Sequence, residues 1–277
     1  FDDVYIRRRL DPAEYTVIAM NAAFHKLRKV TGRYVIDPYR GFPSDYFIYD
    51  LETTGFDRRN DVITQIGWGV VRNRQLVNNE ALTLNWARTS YIDQDWFRAR
   101  LQALETSFNE QGRPYQLTYD VIEASPVNPL DGLRAFDDIL AAVTCDNEWI
   151  LGHNILGFDN SMVDAHRARF LDNGPVEWPP DGMFDVGLFV KAALLGKYPE
   201  PWDTLQSFFE SVAGIRARGV KWALDSYCVP AFNLDSRFGI DVRRCHAADY
   251  DCRTTHLVFE SLREIGEAHG QEKNAKA

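Results

Sequence analysis

One short stretch, from Phe47 to Gly55, most constrains what this chain can fold into. It begins with an apolar run, carries carboxylates at alternate positions as Asp50 and Glu52, and ends in two threonines and a glycine. In a strand, side chains two positions apart point to the same face, so the two carboxylates would lie side by side. Two like charges that close are unfavourable without a positive partner. The stretch therefore predicts a strand that carries part of a divalent-metal site built from hard oxygen ligands.

The composition is that of an ordinary globular chain, with 45% hydrophobic and 26% charged residues over 277 positions. We find no apolar run that could cross a membrane and no signal-peptide pattern, so we expect an intracellular protein without membrane contact, in the cytoplasm or an organelle. The net charge of -9 argues against a broad basic surface for duplex DNA, although not against a strand end gripped through metal ions. The cysteines form no CxxC pair and fit reduced thiols.

The periodicity divides the chain into a leading segment and one large domain. Residues 1–45 carry a helix-start signal at Asp11–Glu14, apolar residues at helical spacing and many basic residues, which predicts an N-terminal helical extension. We favour a solvated helix face for this extension over a phosphate-contacting arm or a docking element. The main domain is predicted over residues 46–268, and residues 269–277 are expected to form a flexible tail.

Three strand-like runs open the main domain, and short polar connections between them predict antiparallel hairpins. These runs are Tyr46–Asp50, Val62–Val71 and Ala81–Trp86. Residues 88–114 follow as a helical insertion with an apolar face. A helix that opens at Asn128 leads to a buried strand over 149–152, which is most easily parallel to its neighbour. Further helices are predicted over 159–170, 186–195, 205–213, 224–229 and 248–265, the last ending near Gly266. This order predicts an α/β domain with a mixed sheet.

Two downstream segments carry residues that can complete the metal site. Asn154 follows the buried strand, with Phe158 and Asp159 just beyond it, and ligands in α/β sheets gather at the carboxyl ends of strands. Nearer the C-terminus, His246 precedes Asp251 by five residues at the start of the last helix. His153 by itself is more typical of a structural histidine.

Four acids and one histidine on three segments suit phosphodiester hydrolysis. Two metal ions about 4 Å apart can activate water, bind the scissile phosphate and stabilise the leaving oxygen. Mg²⁺ prefers carboxylate, water and phosphate oxygens, and the imidazole of His246 has an intrinsic pKa near neutrality that suits it to accept a proton from water. The expected ligands are Asp50, Glu52, Asp159 and Asp251.

These motifs together resemble those of the DEDDh 3′–5′ exonucleases of the ribonuclease-H-like superfamily. The resemblance covers about residues 45–265 and rests on Asp50–Gly55, on His153–Asn154 with Phe158–Asp159, and on His246 with Asp251. Ala247 stands where a sister subgroup has a tyrosine, which indicates the histidine subgroup. The three residues between Asn154 and Phe158 resemble the spacing in exonuclease I and in polymerase proofreading domains.

The resemblance implies a ribonuclease-H-like mixed sheet, three antiparallel strands plus parallel strands, flanked by helices. It implies a 3′–5′ exonuclease that uses two Mg²⁺ or Mn²⁺ ions, with His246 as the general base. The expected partner is the 3′ end of a nucleic acid, with single-stranded DNA favoured over RNA. A polymerase or another protein is a candidate partner for the N-terminal extension. The residues that would bind the terminal nucleotides are Leu51, Thr53, Thr54, Asn154 and Phe158.

Two alternatives stay open at this point. The chain could be a binding or scaffold module, for example on a polymerase, that has kept the fold but lost catalysis. The complete set of five site residues argues against this, because a module freed from catalysis would tolerate the loss of any one. An exoribonuclease of the same architecture is the other alternative, since contacts to a 2′-hydroxyl cannot be identified in the sequence. Roles in proofreading, DNA repair and degradation are equally compatible with the motifs.

Overall fold

A five-stranded mixed sheet lies at the centre of the protein. The structure, a computed structural model, describes residues 43–146, 148–179, 182–195, 205–216 and 222–275. The strand order is β3-β2-β1-β4-β5, with β1, β2 and β3 antiparallel and with β4 and β5 parallel to β1. This confirms the predicted mixed α/β fold, while nearly all of the predicted N-terminal extension lies outside the described residues. The strands are β1 (Tyr46–Thr53), β2 (Ile63–Arg72), β3 (Gln75–Thr83), β4 (Ile150–Gly152) and β5 (Met183–Asp185).

The sequence misplaced the third strand and missed the fifth. β3 begins at Gln75, not at Ala81, because Asn73 and Arg74 have φ of 49° and 68° and form a two-residue hairpin turn directly after β2. β3 is an edge strand, so it tolerates the polar residues that the sequence analysis assigned to a loop. Trp86 lies beyond the strand in a 3₁₀ turn, where its buried indole donates to the carbonyl of Ile63 at 2.6 Å.

Helices cover both faces of the sheet, and most begin where the sequence predicts. The carboxylate of Asp93 caps α1 by accepting from the amide of Trp96, and Asn128 caps α3 by accepting from Leu130. None of the helices in the described part of the chain has the length and hydropathy that a membrane crossing requires. The helices are α1 (Gln94–Glu110), α2 (Tyr119–Ala124), α3 (Pro129–Cys145), α4 (Asn160–His166), α5 (Val186–Leu194), α6 (Leu205–Ala213), α7 (Val229–Ala231), α8 (Leu234–Phe238) and α9 (Ala248–Ala275).

The last helix is longer than predicted, because α9 continues to Ala275 and does not end near Gly266. Residues 269–275 of the predicted flexible tail are therefore helical. Three π-helical turns also interrupt or extend the predicted helices, and two of them flank α4. These turns are Ile155–Asp159, Arg167–Leu171 and Leu224–Cys228.

The alternation of β1 divides its side chains between two hydrophobic clusters. Tyr46 and Ile48 pack into a cluster with residues of α5, α6 and α9, whereas Phe47 and Tyr49 pack on the other face with residues of α1 and α3. The second cluster includes the buried Phe97 and the partly buried Trp96, which lie on the apolar face predicted for the 88–114 insertion. Because the side-chain period of a strand is two, positions 50 and 52 continue the face on which α9 packs.

The first turn of α9 is held directly on β2. The side-chain oxygen of Gln65 accepts a hydrogen bond from the backbone amide of Ala248 at 2.8 Å. Asn79 of β3 donates to the carbonyl of Asp249 at 3.0 Å. Gly67, which lies opposite Asp50 in the β1–β2 register, leaves room for this contact. A Cβ atom at position 67 would lie only 2.3 Å from the carbonyl carbon of Ala248.

Replacement of Gly67 by alanine is expected to push the start of α9 away from the sheet. The added methyl meets backbone atoms, which cannot move aside as a flexible side chain can, so we expect the free energy of unfolding to fall by about 1–3 kcal/mol. Urea denaturation of Gly67→Ala measures this change. Gly174→Ala is the matched control, because no atom lies within 4 Å of a Cβ built at position 174. Equal stabilities of the two variants would contradict the prediction.

Candidate active site

The structure brings the five predicted site residues together at one end of the sheet. Asp50 and Glu52 project from β1, and the carboxylate of Asp159 accepts from the backbone amide of Leu51, between them, at 3.1 Å. Asp251 lies in the first turn of α9, which packs on the same sheet face. The negative charges of Asp251, Asp159 and Glu52 all act on Asp50. Segments more than 190 residues apart therefore converge on β1.

Asp159 is placed by the π-helical turn after β4, and a buried carboxylate organises that turn. Asp185, at the end of β5, accepts from the amides of Asn154 at 2.8 Å, Leu156 at 2.9 Å and Leu188 at 2.7 Å. Burial raises the pKa of Asp185 to about 7, and these hydrogen bonds oppose the shift. The sequence analysis assigned no chemistry to Asp185, because its hydrogen-bond partners are set by the completed fold.

His246 and Asp251 are joined through the backbone. The amide of His246 donates to Oδ2 of Asp251 at 2.9 Å, and His246 has a φ of 72°, in the left-handed region that few non-glycine residues adopt. The other carboxylate oxygen of Asp251, Oδ1, is buried and has no hydrogen-bond partner among the described residues. A buried acceptor without a donor is costly, so this oxygen is available for a cation.

The donor set around this oxygen fits a divalent metal ion. One ligand atom each from Glu52, His246 and Asp251 lies within 4.8 Å of the other two. This group contains His246, which the sequence analysis expected to act as a base rather than as a ligand. Carboxylate oxygens with one imidazole nitrogen suit Mg²⁺, Mn²⁺ or Zn²⁺, so the chemistry of the donors agrees with a metal site without selecting the ion.

The carboxylates raise one another's pKa. Burial raises the pKa of Asp50 well above its usual value, and the charges of Asp251, Asp159 and Glu52 raise it further. For Glu52, burial raises the pKa to about 8 although His246 opposes the shift, and Asp251 reaches about 6 mainly through burial. Burial and the charge of Asp185 also raise the pKa of Asp159. The site therefore holds an excess of negative charge that a cation would relieve.

The turn after β1 uses its hydroxyl groups internally. Thr54 is fully buried, and its hydroxyl donates to Asp61 at 2.9 Å and accepts from the amide of Val62 at 3.0 Å. The hydroxyl of Thr53 donates to the carbonyl of Gly55 at 2.8 Å. The hydroxyl of Thr54 is therefore bonded within the turn, and its amide donates to the carbonyl of Val62 at 2.9 Å. The predicted contact of Thr54 with a substrate stays a prediction. The sequence analysis did not identify Asp61 as the partner of Thr54, because Asp61 reaches this turn from a later position in the chain.

An aromatic pair lies beside the carboxylates. Phe158 is half-buried and packs edge-on against Phe56 with ring centroids 5.5 Å apart, while Phe56 itself is 85% exposed. The sequence analysis identified Phe158 and overlooked Phe56, although its place directly after the Gly55 turn was a usable signal. Asn154 has a φ of 68°, and its side chain packs against Gly157.

The other conspicuous histidine, His153, is structural, as the sequence analysis expected. Its ring stacks on the ring of Trp222 with centroids 5.7 Å apart, and its Nε2 lies 3.1 Å from the carbonyl oxygen of Trp222. Burial lowers the pKa of His153 to about 4, so the ring is neutral near pH 7.

The 88–114 segment forms a wall of the site, a role that nothing in the sequence indicated. Phe108 packs edge-on against the ring of His246, with the two ring centroids 4.9 Å apart. Arg113 pairs with Asp225, whose Oδ2 lies 3.7 Å from Nε2 of His246. His246 and Arg113 hold the pKa of Asp225 below its usual range. Burial lowers the pKa of His246, but Asp225, Glu52 and Asp251 outweigh that effect and leave it raised.

We expect Asp50→Asn to stabilise the metal-free protein increasingly as the pH rises. The folded-state pKa of Asp50 is raised, so its contribution to stability is fully present below the unfolded pKa of about 4 and is lost as the pH rises through the folded pKa. The coupled carboxylates Glu52 and Asp251 titrate up to about pH 8. Between pH 5 and pH 8 the Tm advantage of the variant should therefore widen, by about 2–4 °C for each kcal/mol of repulsion removed.

Thermal unfolding in the presence of a chelator measures this difference. Buried histidines such as His153 titrate alike in both proteins, so the difference isolates the carboxylates. Asp138→Asn, at an exposed position of α3, is the control and should show no pH-dependent gap. A constant gap for Asp50→Asn over this range would contradict the electrostatic assignment.

Comparison with known proteins supports the fold. No protein-family model and no curated protein sequence matches the chain. The structure matches that of E. coli exonuclease I in a zinc-bound complex with single-stranded DNA, with a TM-score of 0.51, 15% identity, and coverage of 84% of this chain and 43% of that chain. A complex of the same E. coli protein with a dT13 oligonucleotide gives a TM-score of 0.51 at 17% identity over 83% and 43%. The chain thus spans less than half the length of these neighbours. At this identity the match shows the fold alone, a mixed sheet flanked by helices.

Proposed function

We propose that the chain is a metal-dependent 3′–5′ exonuclease that hydrolyses phosphodiester bonds at the 3′ end of a nucleic acid. One observation carries this proposal: the charges of Glu52, Asp159 and Asp251 converge on Asp50, His246 lies with Glu52 and Asp251, and a buried oxygen of Asp251 has no partner among the described residues. The fold neighbours are exonuclease I structures with bound single-stranded DNA, which supports the same substrate class here.

The proposed roles follow from the positions of the side chains. Bound metal ions, Mg²⁺ or Mn²⁺, would polarise the scissile phosphate and lower the pKa of the attacking water. His246 accepts the proton of that water at a ring nitrogen, and its backbone link to Asp251 fixes where the ring can reach. The leaving oxygen is the 3′ oxygen of the next nucleotide, so each cycle releases one mononucleotide. The proposed ligands of the two ions are Asp50, Glu52, Asp159 and Asp251.

The terminal nucleotides would lie over the turn that follows β1. Phe158, with Phe56 beside it, offers an aromatic surface, and stacking of a base on such a surface contributes about 1–3 kcal/mol without reading sequence. Leu51, Thr53, Thr54 and Asn154 keep their proposed places in the pocket. The acidic balance of the chain favours a single-stranded end, where few phosphates need to be neutralised. A polymerase or other protein partner for the N-terminal extension stays a prediction.

The proposal is tested by the release of mononucleotides from labelled oligonucleotides in Mg²⁺ or Mn²⁺. We expect His246→Ala to lower the rate by about 10²-fold or more, since general acid–base groups contribute about 10²–10⁴-fold. Asp50→Ala should lower the rate to a similar extent, because it removes a proposed ligand of the metal ions. Asp138→Ala, which removes an exposed carboxylate, should retain the wild-type rate. The substrates are single- and double-stranded DNA and RNA labelled at each end. Faster loss of RNA than of DNA would make the chain an exoribonuclease, and an Asp50→Ala variant as active as the wild type would refute the site assignment.

Metal binding by itself separates the exonuclease from a catalytically silent scaffold module. We expect calorimetry to show Mn²⁺ binding to the wild type, because the charges that act on Asp50 are those of three other carboxylates. Asp251→Asn removes a ligand and should weaken the affinity more than about tenfold, the lower limit usually seen when even an outer-shell partner is lost. Asp138→Asn should bind Mn²⁺ as the wild type does. Wild-type protein that binds no Mn²⁺ would favour the scaffold module.

A further inference from the structure

A carboxylate outside the four proposed ligands faces the imidazole of His246. This is Asp225, in the π-helical turn Leu224–Cys228, with Oδ2 at 3.7 Å from Nε2 of His246. The guanidinium of Arg113 contacts the same oxygen, and the amide of Ser226 donates to Oδ1 at 2.6 Å. The Asp225 side chain is only 13% exposed. Both of its oxygens therefore have protein partners, which suits a fixed carboxylate and not a metal ligand.

The turn that carries Asp225 is itself tied to the sheet. Residues 227 and 228 donate backbone hydrogen bonds of 3.1 Å to the carbonyl of Ala223. One residue earlier, the ring of Trp222 stacks on His153, which directly follows β4. The π-helical turn that carries Asp159 follows the same strand. These contacts fix the position of Asp225 relative to the end of the sheet that carries the proposed metal ligands.

His246 is constrained from three directions. Its left-handed backbone is a sparsely populated conformation that persists only where the surroundings determine it, and its amide is bound by Asp251. The ring of Phe108 packs on the imidazole at an interplanar angle of 87°. Asp225 then approaches a ring nitrogen, so that backbone, ring face and ring nitrogen each have a separate partner.

We infer that Asp225, held by Arg113, is a positioning residue that orients the imidazole of His246 for proton transfer. The inference rests on the proposed function, in which His246 is the general base. A base needs a defined ring orientation within hydrogen-bond reach of its proton, and a third group commonly provides it. The Arg113–Asp225 pair, with side chains that are 25% and 13% exposed, holds a fixed carboxylate beside His246. The 88–114 segment, through Phe108 and Arg113, thereby becomes part of the site.

Kinetics of the intact chain on a single-stranded oligonucleotide in Mn²⁺ test the inference. We expect Asp225→Asn to lower kcat by about 10–100-fold, part of the contribution of a general base, while KM and Mn²⁺ affinity change less than about twofold. Asp225→Glu, which keeps the charge, should recover part of the loss, and Arg113→Gln should lower kcat in the same direction. Asp131→Asn, in the exposed Arg134–Asp131 pair, should leave all three quantities unchanged.

A double-mutant cycle distinguishes positioning from a general structural effect. In the His246→Ala background, Asp225→Asn should cause no further loss of rate, because the group on which Asp225 acts is absent. The metal-free proteins give an independent readout by NMR of the imidazole nitrogens. We expect Asp225→Asn to shift the His246 signal, identified by its absence in His246→Ala, more than those of the other five histidines.

The inference would be overturned by a kcat for Asp225→Asn within twofold of the wild type. It would also be overturned by an equal loss of rate in the His246→Ala background, or by a parallel loss of Mn²⁺ affinity. A wild-type protein without nuclease activity would contradict the proposed function instead. The NMR signal of His246 then decides the inference alone, and an unchanged signal in Asp225→Asn would reject it.

Discussion

The close packing of α9 on β2 is the contact on which the site depends. With Gly67 opposite Asp50, the helix can approach the sheet until backbone meets backbone, and this brings Asp251 to the carboxylates of β1. Bringing Asp251 close to Asp50 is electrostatically unfavourable, as the raised pKa of Asp50 shows. The fold tolerates it because the same helix and strand bury large apolar side chains, each worth about 1.5–3 kcal/mol. Phe259 of α9, Tyr46 and Ile48 lie in that cluster.

The boundary between core and site lies within one strand. Tyr46 and Ile48 point into the cluster under α9, and the same alternation directs Asp50 and Glu52 to the end of that face. A strand that is regular over its whole length thus stabilises the protein at one end and carries charge at the other. Stability and site chemistry are therefore coupled, because the carboxylates that would bind a metal ion repel one another in the metal-free fold.

Local patterns were sufficient to predict a large part of this molecule. Alternation identified the face of Asp50 and Glu52, the Asn128 cap placed the start of α3, and the interval from His246 to Asp251 spans a single helix start. These features depend on residues near one another in the chain. β5 escaped prediction because it has only two apolar residues before Asp185 and α5 begins directly after it, and β3 because an edge strand carries polar side chains.

The supports of the site could not be predicted in the same way, since each joins distant segments. Asp185 fixes the turn of Asp159, Asp61 occupies the hydroxyl of Thr54, and Arg113 reaches Asp225 across 112 positions. Nothing in the sequence near these residues marks their partners, because side-chain hydrogen bonds of this kind are specified by the completed fold. Chemistry-bearing residues therefore stand out in the sequence, while the groups that orient them do not.

Asp251 links the two halves of the proposed chemistry. Its Oδ2 accepts the amide of His246, while its Oδ1 remains buried without a partner among the described residues. A cation at Oδ1 and a base on the backbone bound to Oδ2 would share one rigid carboxylate. Any movement of α9 that displaced the ligand would then displace His246 with it. Asp225 and Phe108 lie beyond that link, against the ring itself, so the proposed positioning would act on the ring orientation and not on the metal ligands.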